Sequence, residues 1–390
     1  MKYDFDKITE RRNTSCLKYD FAVERGRPWD VLPLWVADMD ISTAPAVIEA
    51  LKERAEHGIF GYTMPKKDYF SVVAKWFKER HGWNAEPEKF ICTPGVVFAL
   101  CTLIKAVTSE GDGVICCQPV YYPFADSVKN NNRKLVVSEL VLKDGRYYID
   151  FEDFENKIIN NNVKAFILCS PHNPVGRVWT RDELARLGDI CLKHGVFVIS
   201  DEIHCDFTFE NHRHIVFSTV KEEFGEHCAI CTAPSKSFNL AGLQISNIYI
   251  PSEQVRKKFE NELDKTGYWE PNAMGLTACA AAYEKGGEWF DSLKEYLAGN
   301  LAFVRDYLKD IPNIELIEPE GTYLVWLDCR ALNLSDEGLQ NLVEQKAKLW
   351  LDDGYIFGEG GSGFERLNLA CPRATLELAL ERLKKAVKGR

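Results

Sequence analysis

Short apolar runs alternate with amphipathic helical segments through the middle of the chain, and no other feature restricts the fold as much. Five such runs predict strands, at residues 114–117, 165–169, 196–200, 228–232 and 245–250. Helical periodicity separates several of them, for example over Arg181–Lys193. Strands that are apolar throughout are buried on both faces, which is typical of a parallel sheet covered by helices. The sequence therefore predicts an α/β fold with a mainly parallel sheet flanked by helices.

The pattern changes after residue 251, where long helical stretches extend to about residue 309. Strand patterns follow near residues 323–328 and 366–370, and a final helix carries one apolar face. This mixture predicts a second, smaller α+β domain. We expect a large domain at residues 45–285 and a small domain made of residues 1–44, which include an N-terminal arm, and 286–390.

Composition excludes several classes of partner. Acidic residues outnumber basic ones, 58 to 48, whereas proteins that bind nucleic acid usually carry a basic surplus, so nucleic acid is not an expected partner. No apolar run reaches the roughly 18 residues of a membrane helix, so no membrane span is predicted. The first residues are charged and lack the apolar stretch of a secretory signal. The thirteen cysteines are therefore expected to be reduced thiols in the cytoplasm.

Four segments place polar residues or glycine just after a predicted strand or at a helix start, where an open parallel sheet forms its ligand crevice. Gly95 opens a helix whose first N–H groups can bind a phosphate. Asn173 lies in a turn made rigid by two prolines. Asp201 follows one strand, and Lys236 lies between two serines after another.

Taken alone, the first three patterns are more typical of ordinary structure: a helix start, a loop and an N-cap aspartate. Lys236 differs, because a surface lysine seldom follows a buried strand in this way. A partly desolvated lysine has a lowered pKa and can form a Schiff base.

The order of phosphate turn, asparagine, aspartate and lysine resembles the fold type I pyridoxal 5′-phosphate (PLP) enzymes of the aminotransferase class I/II group. The resemblance covers nearly the whole chain, and its most specific part is Ser235–Leu243, Ser-Lys-Ser-Phe-Asn-Leu-Ala-Gly-Leu. Within that group, three segments are similar to the C–S β-lyase branch of cystathionine β-lyases and cystalysin-type enzymes: Leu34–Asp40, Pro119–Phe124 and Asp201–His204. The resemblance implies a PLP-binding large domain with a sheet of the seven-stranded type.

The resemblance also implies roles around the cofactor. Lys236 would bind the aldehyde of PLP covalently, and Asp201 would bind its pyridinium nitrogen. Asn173 would donate a hydrogen bond to the phenolic oxygen, and Tyr121 would stack on the ring and act in catalysis. The remaining cofactor contacts would come from Gly95, Val96, Val97, Ser235, His204 and, across a dimer interface, Tyr62.

The substrate side of the site is implied in the same way. Arg366 would bind the carboxylate of an amino-acid substrate bidentately, with two of its guanidinium nitrogens. Tyr122 and Ala37 would also contact the substrate, and Tyr122 would take part in catalysis. Because Tyr62 would serve the neighbouring subunit, the resemblance implies a homodimer with its active sites at the interface.

Two departures separate the chain from aspartate-type transaminases, since His204 and Gln244 stand where many of those enzymes carry tyrosine and arginine. The leading hypothesis is a PLP-dependent C–S β-lyase that cleaves cystathionine or a related cysteine S-conjugate to a thiol, pyruvate and ammonia. The alternative is an aminotransferase on the same fold, which would share every cofactor residue. A third hypothesis is a non-catalytic binding or regulatory protein with this fold. The intact set of Lys236, Asp201, Asn173 and Arg366 argues against it, because a protein without activity would be free to lose these residues.

Other motifs predict no function. Residues 358–363 match a dinucleotide-binding pattern, but another strand pattern follows directly, so a hairpin near Arg366 is expected after a strand at 355–357. Cys228 and Cys231 form a single pair inside a strand, so no metal site is predicted. His214 is expected in a polar loop, and Arg373 is expected to begin the last helix and to face solvent.

Overall fold

The computed structural model of the protein describes residues 2–209 and 211–389. The strands within these residues are β1 Leu32–Pro33, β2 Phe90–Thr93, β3 Gly113–Gln118, β4 Lys134–Lys143, β5 Arg146–Ile149, β6 Val163–Cys169, β7 Phe197–Asp201, β8 Cys228–Thr232, β9 Ser246–Tyr249, β10 Glu315–Ile317, β11 Leu324–Asp328, β12 Leu349–Trp350, β13 Asp352–Asp353 and β14 Phe364–Asn368.

The central sheet has eight strands in the order β2-β9-β8-β7-β6-β3-β4-β5. Its middle strands, β8 to β4, are parallel, and β9 is antiparallel to both of its neighbours. The mainly parallel α/β sheet is therefore confirmed, with one strand more than the expected seven. The additional strand, β5, folds back on β4 through Asp144 and Gly145, which both adopt positive φ. An Asp-Gly pair favours such a two-residue hairpin turn.

The helices are α1 Leu17–Asp20, α2 Pro45–Glu56, α3 Lys67–His81, α4 Val96–Val107, α5 Pro123–Lys129, α6 Phe151–Asn160, α7 Arg181–Lys193, α8 Pro234–Ser237, α9 Glu253–Asp264, α10 Ala273–Lys285, α11 Gly287–Leu308, α12 Asp336–Asn341 and α13 Arg373–Lys388. Helix α7 has the predicted bounds, because Thr180 and Glu183 form a reciprocal capping box at its start. Among the described residues, no helix combines the length and apolarity needed to cross a membrane.

The central strands bury both faces, as their continuous apolar sequences predict. Alternate residues of β6 belong to two separate apolar clusters: Phe166 packs in one and Ile167 in the other. Cys228 and Cys231 are divided between the same two clusters, since residues three apart in a strand point to opposite faces. All thirteen cysteines lie among the described residues and are free thiols.

A second sheet lies in the C-terminal part, with the antiparallel order β10-β11-β14-β13. Strand β1 pairs in parallel with β12, so the N-terminal segment folds beside the C-terminal part. The domain limits at residues 45 and 285 stay a prediction.

Three local expectations need correction or completion. The hairpin near Arg366 is confirmed by the antiparallel pair β13 and β14, but the strand expected at 355–357 is wrong, because two short 3₁₀ turns connect these strands. His214 is buried and paired with Glu202 rather than lying in a polar loop. Arg373 does begin α13, yet its side chain does not simply face solvent: it packs over the Phe303 ring, 4.7 Å from the centroid.

Candidate active site at the carboxyl ends of the parallel strands

A cavity of about 400 Å³ lies where the central parallel strands end. Four of the sequence-predicted segments meet there: the start of α4, the turn after β6, the end of β7, and α8 after β8. This convergence follows from topology, since the carboxyl ends of neighbouring parallel strands lie at one edge of the sheet. The predicted site residues that line the cavity are Ala37, Gly95, Val96, Val97, Tyr121, Asn173, Asp201, His204, Ser235 and Lys236.

Lys236 places its amine inside this cavity. Its Nζ donates a hydrogen bond to the carbonyl oxygen of Ala37, at 2.8 Å. Burial, aided by the charge of Arg366, lowers the pKa of Lys236 to about 8, although Asp38 and Asp201 oppose the shift. A substantial fraction of the amine is therefore neutral near physiological pH, and a neutral amine is nucleophilic.

Asp201 is a buried carboxylate at the end of β7, and within the described part of the chain it accepts one side-chain hydrogen bond, from the Ile203 N–H at 3.1 Å. Burial raises the pKa of Asp201 to about 7, and Lys236 and the Ile203 N–H counteract the rise only in part. A buried carboxylate with so little compensation is suited to a cation or a protonated ring nitrogen in the cavity.

Arg366 lies on β14 and is almost fully buried. One guanidinium nitrogen, Nη1, donates to Asn173 Oδ1 at 2.9 Å, and Nη2 donates to the Trp35 carbonyl oxygen at 2.8 Å. Nη2 also pairs with Asp352, the residue directly opposite Arg366 in the β13–β14 register. The Arg366 Nε is buried and has no hydrogen-bond partner among the described residues, which leaves one donor unused.

Asp352 is a site residue that the sequence analysis missed. Burial raises its pKa to about 6, while the charge of Arg366 opposes the rise. The signal in the sequence was weak: two aspartates directly follow the apolar residues Leu349–Leu351. Only the hairpin register brings Asp352 onto the arginine.

His204 is buried beside the cavity with its ring edge toward Tyr323, the centroids 5.8 Å apart. Burial, with the positive charges of Lys236 and Arg366, holds the pKa of His204 well below its ordinary value, so the imidazole is neutral. The Tyr323 hydroxyl donates to the Ala37 carbonyl oxygen at 2.9 Å, and the same oxygen accepts the Lys236 amine. Tyr323 was not predicted as a site residue.

Tyr121 and Tyr122 differ in position although they are adjacent. Tyr121 lines the cavity, and its N–H donates to the Asn173 carbonyl oxygen at 3.0 Å. Tyr122 does not line the cavity; its ring lies against that of Phe357, 5.9 Å between centroids. Tyr62 is also outside the cavity, in a loop where its side chain is 97% exposed.

The residues present fit a phosphorylated pyridoxal cofactor. No side chain caps the start of α4, so its first N–H groups are available to an anion. Gly95 there is extended, with φ of 173°, and an added Cβ would meet nothing within 4 Å, so the glycine leaves open space rather than satisfying a turn. Phosphate donors, an acid for a ring nitrogen and an amine for an aldehyde thus surround one cavity. Gln244 also lines it.

Comparison with known proteins also identifies PLP-dependent enzymes, and the matches cover nearly the whole chain. Residues 30–383 match the family model of aminotransferase class I and II. Cystathionine beta-lyase PatB of Bacillus subtilis is 45% identical over 385 residues, 98% of this chain and 100% of that protein.

Solved structures with bound PLP agree. Cystalysin from Treponema denticola, which contains PLP, is 41% identical with a TM-score of 0.96, and the match covers 100% of both chains. The PLP-bound C-S lyase from Staphylococcus hominis is 32% identical with a TM-score of 0.93, covering 99% of this chain and 98% of that one. The chain therefore belongs to the aminotransferase class I and II family, in its PLP-dependent C–S lyase branch.

Proposed function

We propose that the protein cleaves the Cβ–S bond of cystathionine or a related cysteine S-conjugate and releases a thiol, pyruvate and ammonia. The observation that carries the reaction type is the full-length similarity to PatB, at 45% identity. The cavity supports it with a partly neutral amine and a buried acid in its lining, and the buried Arg366 guanidinium, which does not itself line the cavity, is hydrogen-bonded to the lining residue Asn173. The alternative, an aminotransferase, would use the same cavity.

Bound PLP supplies an electron sink for the negative charge that develops at the substrate Cα. Lys236 would hold the cofactor aldehyde through its amine and, with that amine free, would remove the proton from the substrate Cα. Asp201 would hold a proton on the ring nitrogen. The Cβ–S bond would break with its electron pair leaving on sulfur, and the proton that Lys236 took from Cα would return to that sulfur to give the thiol. The aminoacrylate released would take up water and give pyruvate and ammonia.

The other residues bind and orient. The N–H groups of Val96 and Val97, beside Gly95, would hold the phosphate, and Ser235 would assist them. Tyr121 would stack on the ring, Asn173 would donate to its phenolic oxygen, and the neutral His204 would pack beside it.

Arg366 holds the substrate carboxylate. Its Nη1 donates a hydrogen bond to Asn173, so the guanidinium is oriented before the substrate arrives. Its Nε has no partner among the described residues and is available to the carboxylate. Ala37 contributes its backbone on the same side. The Tyr122 ring lies against Phe357 and close to the Arg366–Asp352 pair, so Tyr122 assists substrate binding although it does not line the cavity.

A homodimer is the proposed functional unit, with Tyr62 reaching the phosphate of the partner subunit. The support is a loop of exposed apolar side chains: Ile59 is 67% exposed, Phe60 61%, Tyr62 97% and Met64 65%. Several large apolar or aromatic residues left exposed within one short loop are typical of an interaction surface. A cytoplasmic location is proposed with it, and the free thiols are compatible with that compartment.

The decisive experiment measures pyruvate release from cystathionine by the purified holoenzyme, with and without an added keto acid. We expect turnover without a keto acid, because elimination returns the cofactor to its starting form without a second substrate. Lys236→Ala is the control and should release no pyruvate and show no borohydride-reducible chromophore. Turnover that strictly requires the keto acid would replace the lyase by the aminotransferase.

A further inference from the structure

A buried polar cluster lies behind the cavity, on the side of α8 that faces helix α3. Its centre is Asp206, five residues after Asp201, with a side chain that is almost completely buried. The Asp206 carboxylate accepts hydrogen bonds from Ser237 Oγ at 2.5 Å and from the Trp76 indole at 3.2 Å. His81 Nε2 lies 2.8 Å from the same carboxylate.

The cluster connects three elements of the fold. Ser237 directly follows Lys236 in α8, and Trp76 and His81 both belong to α3. Asp206 lies in the segment that follows β7; His204 of this segment and Asp201, the last residue of β7, both line the cavity. The Asp206 carboxylate therefore joins α8, which carries Lys236, to the segment that follows Asp201.

The charge of Asp206 strengthens this connection. Burial opposes ionisation, but the hydrogen bonds and charge from His81, together with Ser237 and Trp76, outweigh it and hold the pKa of Asp206 below its ordinary value. An ionised acceptor forms shorter and stronger hydrogen bonds than a neutral one. The nearby amine of Lys294, on α11, adds further positive charge.

His81, Cys205 and Asp206 bring their donor atoms within 4.8 Å of one another, which raises the question of a metal site. The carboxylate oxygens of Asp206 are already occupied by the donors from Ser237, Trp76 and His81, and the Cys205 thiol has its pKa raised by burial. The arrangement is therefore a hydrogen-bonded junction.

We propose that Asp206 is a positioning residue for the reaction: through Ser237 it fixes the Lys236 amine relative to Asp201. This inference rests on the proposed function only in that Lys236 is the reacting amine. A small displacement of a reacting group costs much of its rate, so the junction should matter even though it touches neither cofactor nor substrate.

The test compares Asp206→Asn, Ser237→Ala and the double variant. Asp206→Asn keeps the shape but removes the charge, and Ser237→Ala removes the link to the lysine segment. The matched control is Ser138→Ala, because Ser138 is also a buried serine that donates to a carboxylate, Asp153, at 2.8 Å, but on β4 and away from the cavity.

Two readouts are measured for each protein. The first is the rate at which apoenzyme captures added PLP covalently, followed by visible absorbance and borohydride trapping, which needs no substrate. The second is the division of any loss between kcat and KM for cystathionine. We expect each single variant to slow PLP capture and lower kcat roughly tenfold with KM within about twofold, and the double variant to lose no more than either single one.

Three results would overturn the proposal. The first is PLP capture and kcat in Ser237→Ala within about twofold of Ser138→Ala. The second is a double variant that loses the product of the two single effects, which would mean that the residues act separately. The third is a loss confined to thermal stability of the apoenzyme. If Asp206→Asn does not fold, Ser237→Ala decides alone. Failure of the lyase assay with normal PLP capture would instead count against the proposed function.

Discussion

The amine of Lys236 shows how one buried residue acquires its reactivity from its surroundings. Its pKa of about 8 comes first from burial and then from the charge of Arg366. The carbonyl oxygen of Ala37 accepts its hydrogen bond and holds it in place. Desolvation favours the neutral form of an amine, so the same burial that builds the cavity also makes the lysine nucleophilic.

This residue gives the first prediction, on pH. Since protonation blocks the amine, the rate of PLP capture by apoenzyme should rise with pH, roughly tenfold per unit well below pH 8, and level off above it. Stopped-flow absorbance between pH 6 and pH 10.5 measures the midpoint, with a free lysine derivative as reference. A midpoint at the ordinary lysine pKa, about 10.4, would contradict the buried position of Lys236.

The second prediction compares two arginines. Arg366→Lys should lower kcat/KM for cystathionine by roughly 10- to 100-fold, because a point charge cannot replace a planar guanidinium with several fixed donors. Arg373→Lys is the control, since Arg373 donates to Asn300 at 2.8 Å, away from the cavity, and should change stability more than kcat/KM. Steady-state kinetics and thermal unfolding are measured for both. Equal losses of kcat/KM in the two variants would contradict the assignment of the substrate-carboxylate contact to Arg366.

At the scale of elements, the hairpin of β13 and β14 controls the position of Arg366. The backbones at Gly354 and Gly361 approach so closely that a Cβ on either residue would collide with the other's carbonyl oxygen. This close approach sets the hairpin register, and the register places Asp352 opposite Arg366. Glycine is therefore required at both positions for space.

The third prediction tests this packing. Gly354→Ala should lower the free energy of unfolding by about 1–3 kcal/mol, in the range of overpacked cores, and should raise KM because Asp352 moves relative to Arg366. Gly360→Ala is the control from the same loop, since its added Cβ would meet the flexible end of Glu139 at 3.2 Å and the Pro119 ring at 3.6 Å, an ordinary contact distance. Denaturant unfolding and kinetics are measured together. A stable Gly354→Ala with normal KM would show that the hairpin tolerates the displacement.

At the scale of the whole molecule, the exposed loop around Tyr62 gives the fourth prediction. The purified protein should be a dimer by light scattering. Tyr62→Phe should weaken PLP retention by about 1 kcal/mol or slightly more, the value of one hydrogen bond to an ionic acceptor. Tyr148→Phe, at another exposed tyrosine on β5, serves as the control and should retain PLP normally. A fully active monomer at the assay concentration would contradict the shared site.

Local sequence was enough for much of the fold. The apolar runs predicted the central strands, and the Thr180–Glu183 capping box set the start of α7 where the periodicity predicted it. Strand β4 was missed, because its buried and exposed residues alternate and it lacks a continuous apolar run. The cavity-lining residues Gly95, Asn173, Asp201 and Lys236 were found because each lies at the end of a strand, in the short segment after one, or at a helix start.

Tertiary structure decided the rest. Asp352 pairs with Arg366 only through the register of a hairpin, and Ala37 accepts Lys236 Nζ across 199 positions of the chain. Asp206 reaches Ser237 only because β7 and β8 are neighbours in the sheet. Sequence determines which segments form strands and helices, because those preferences arise within a few residues. The partners of a buried charge depend on which distant segments pack together, and only the folded chain determines that.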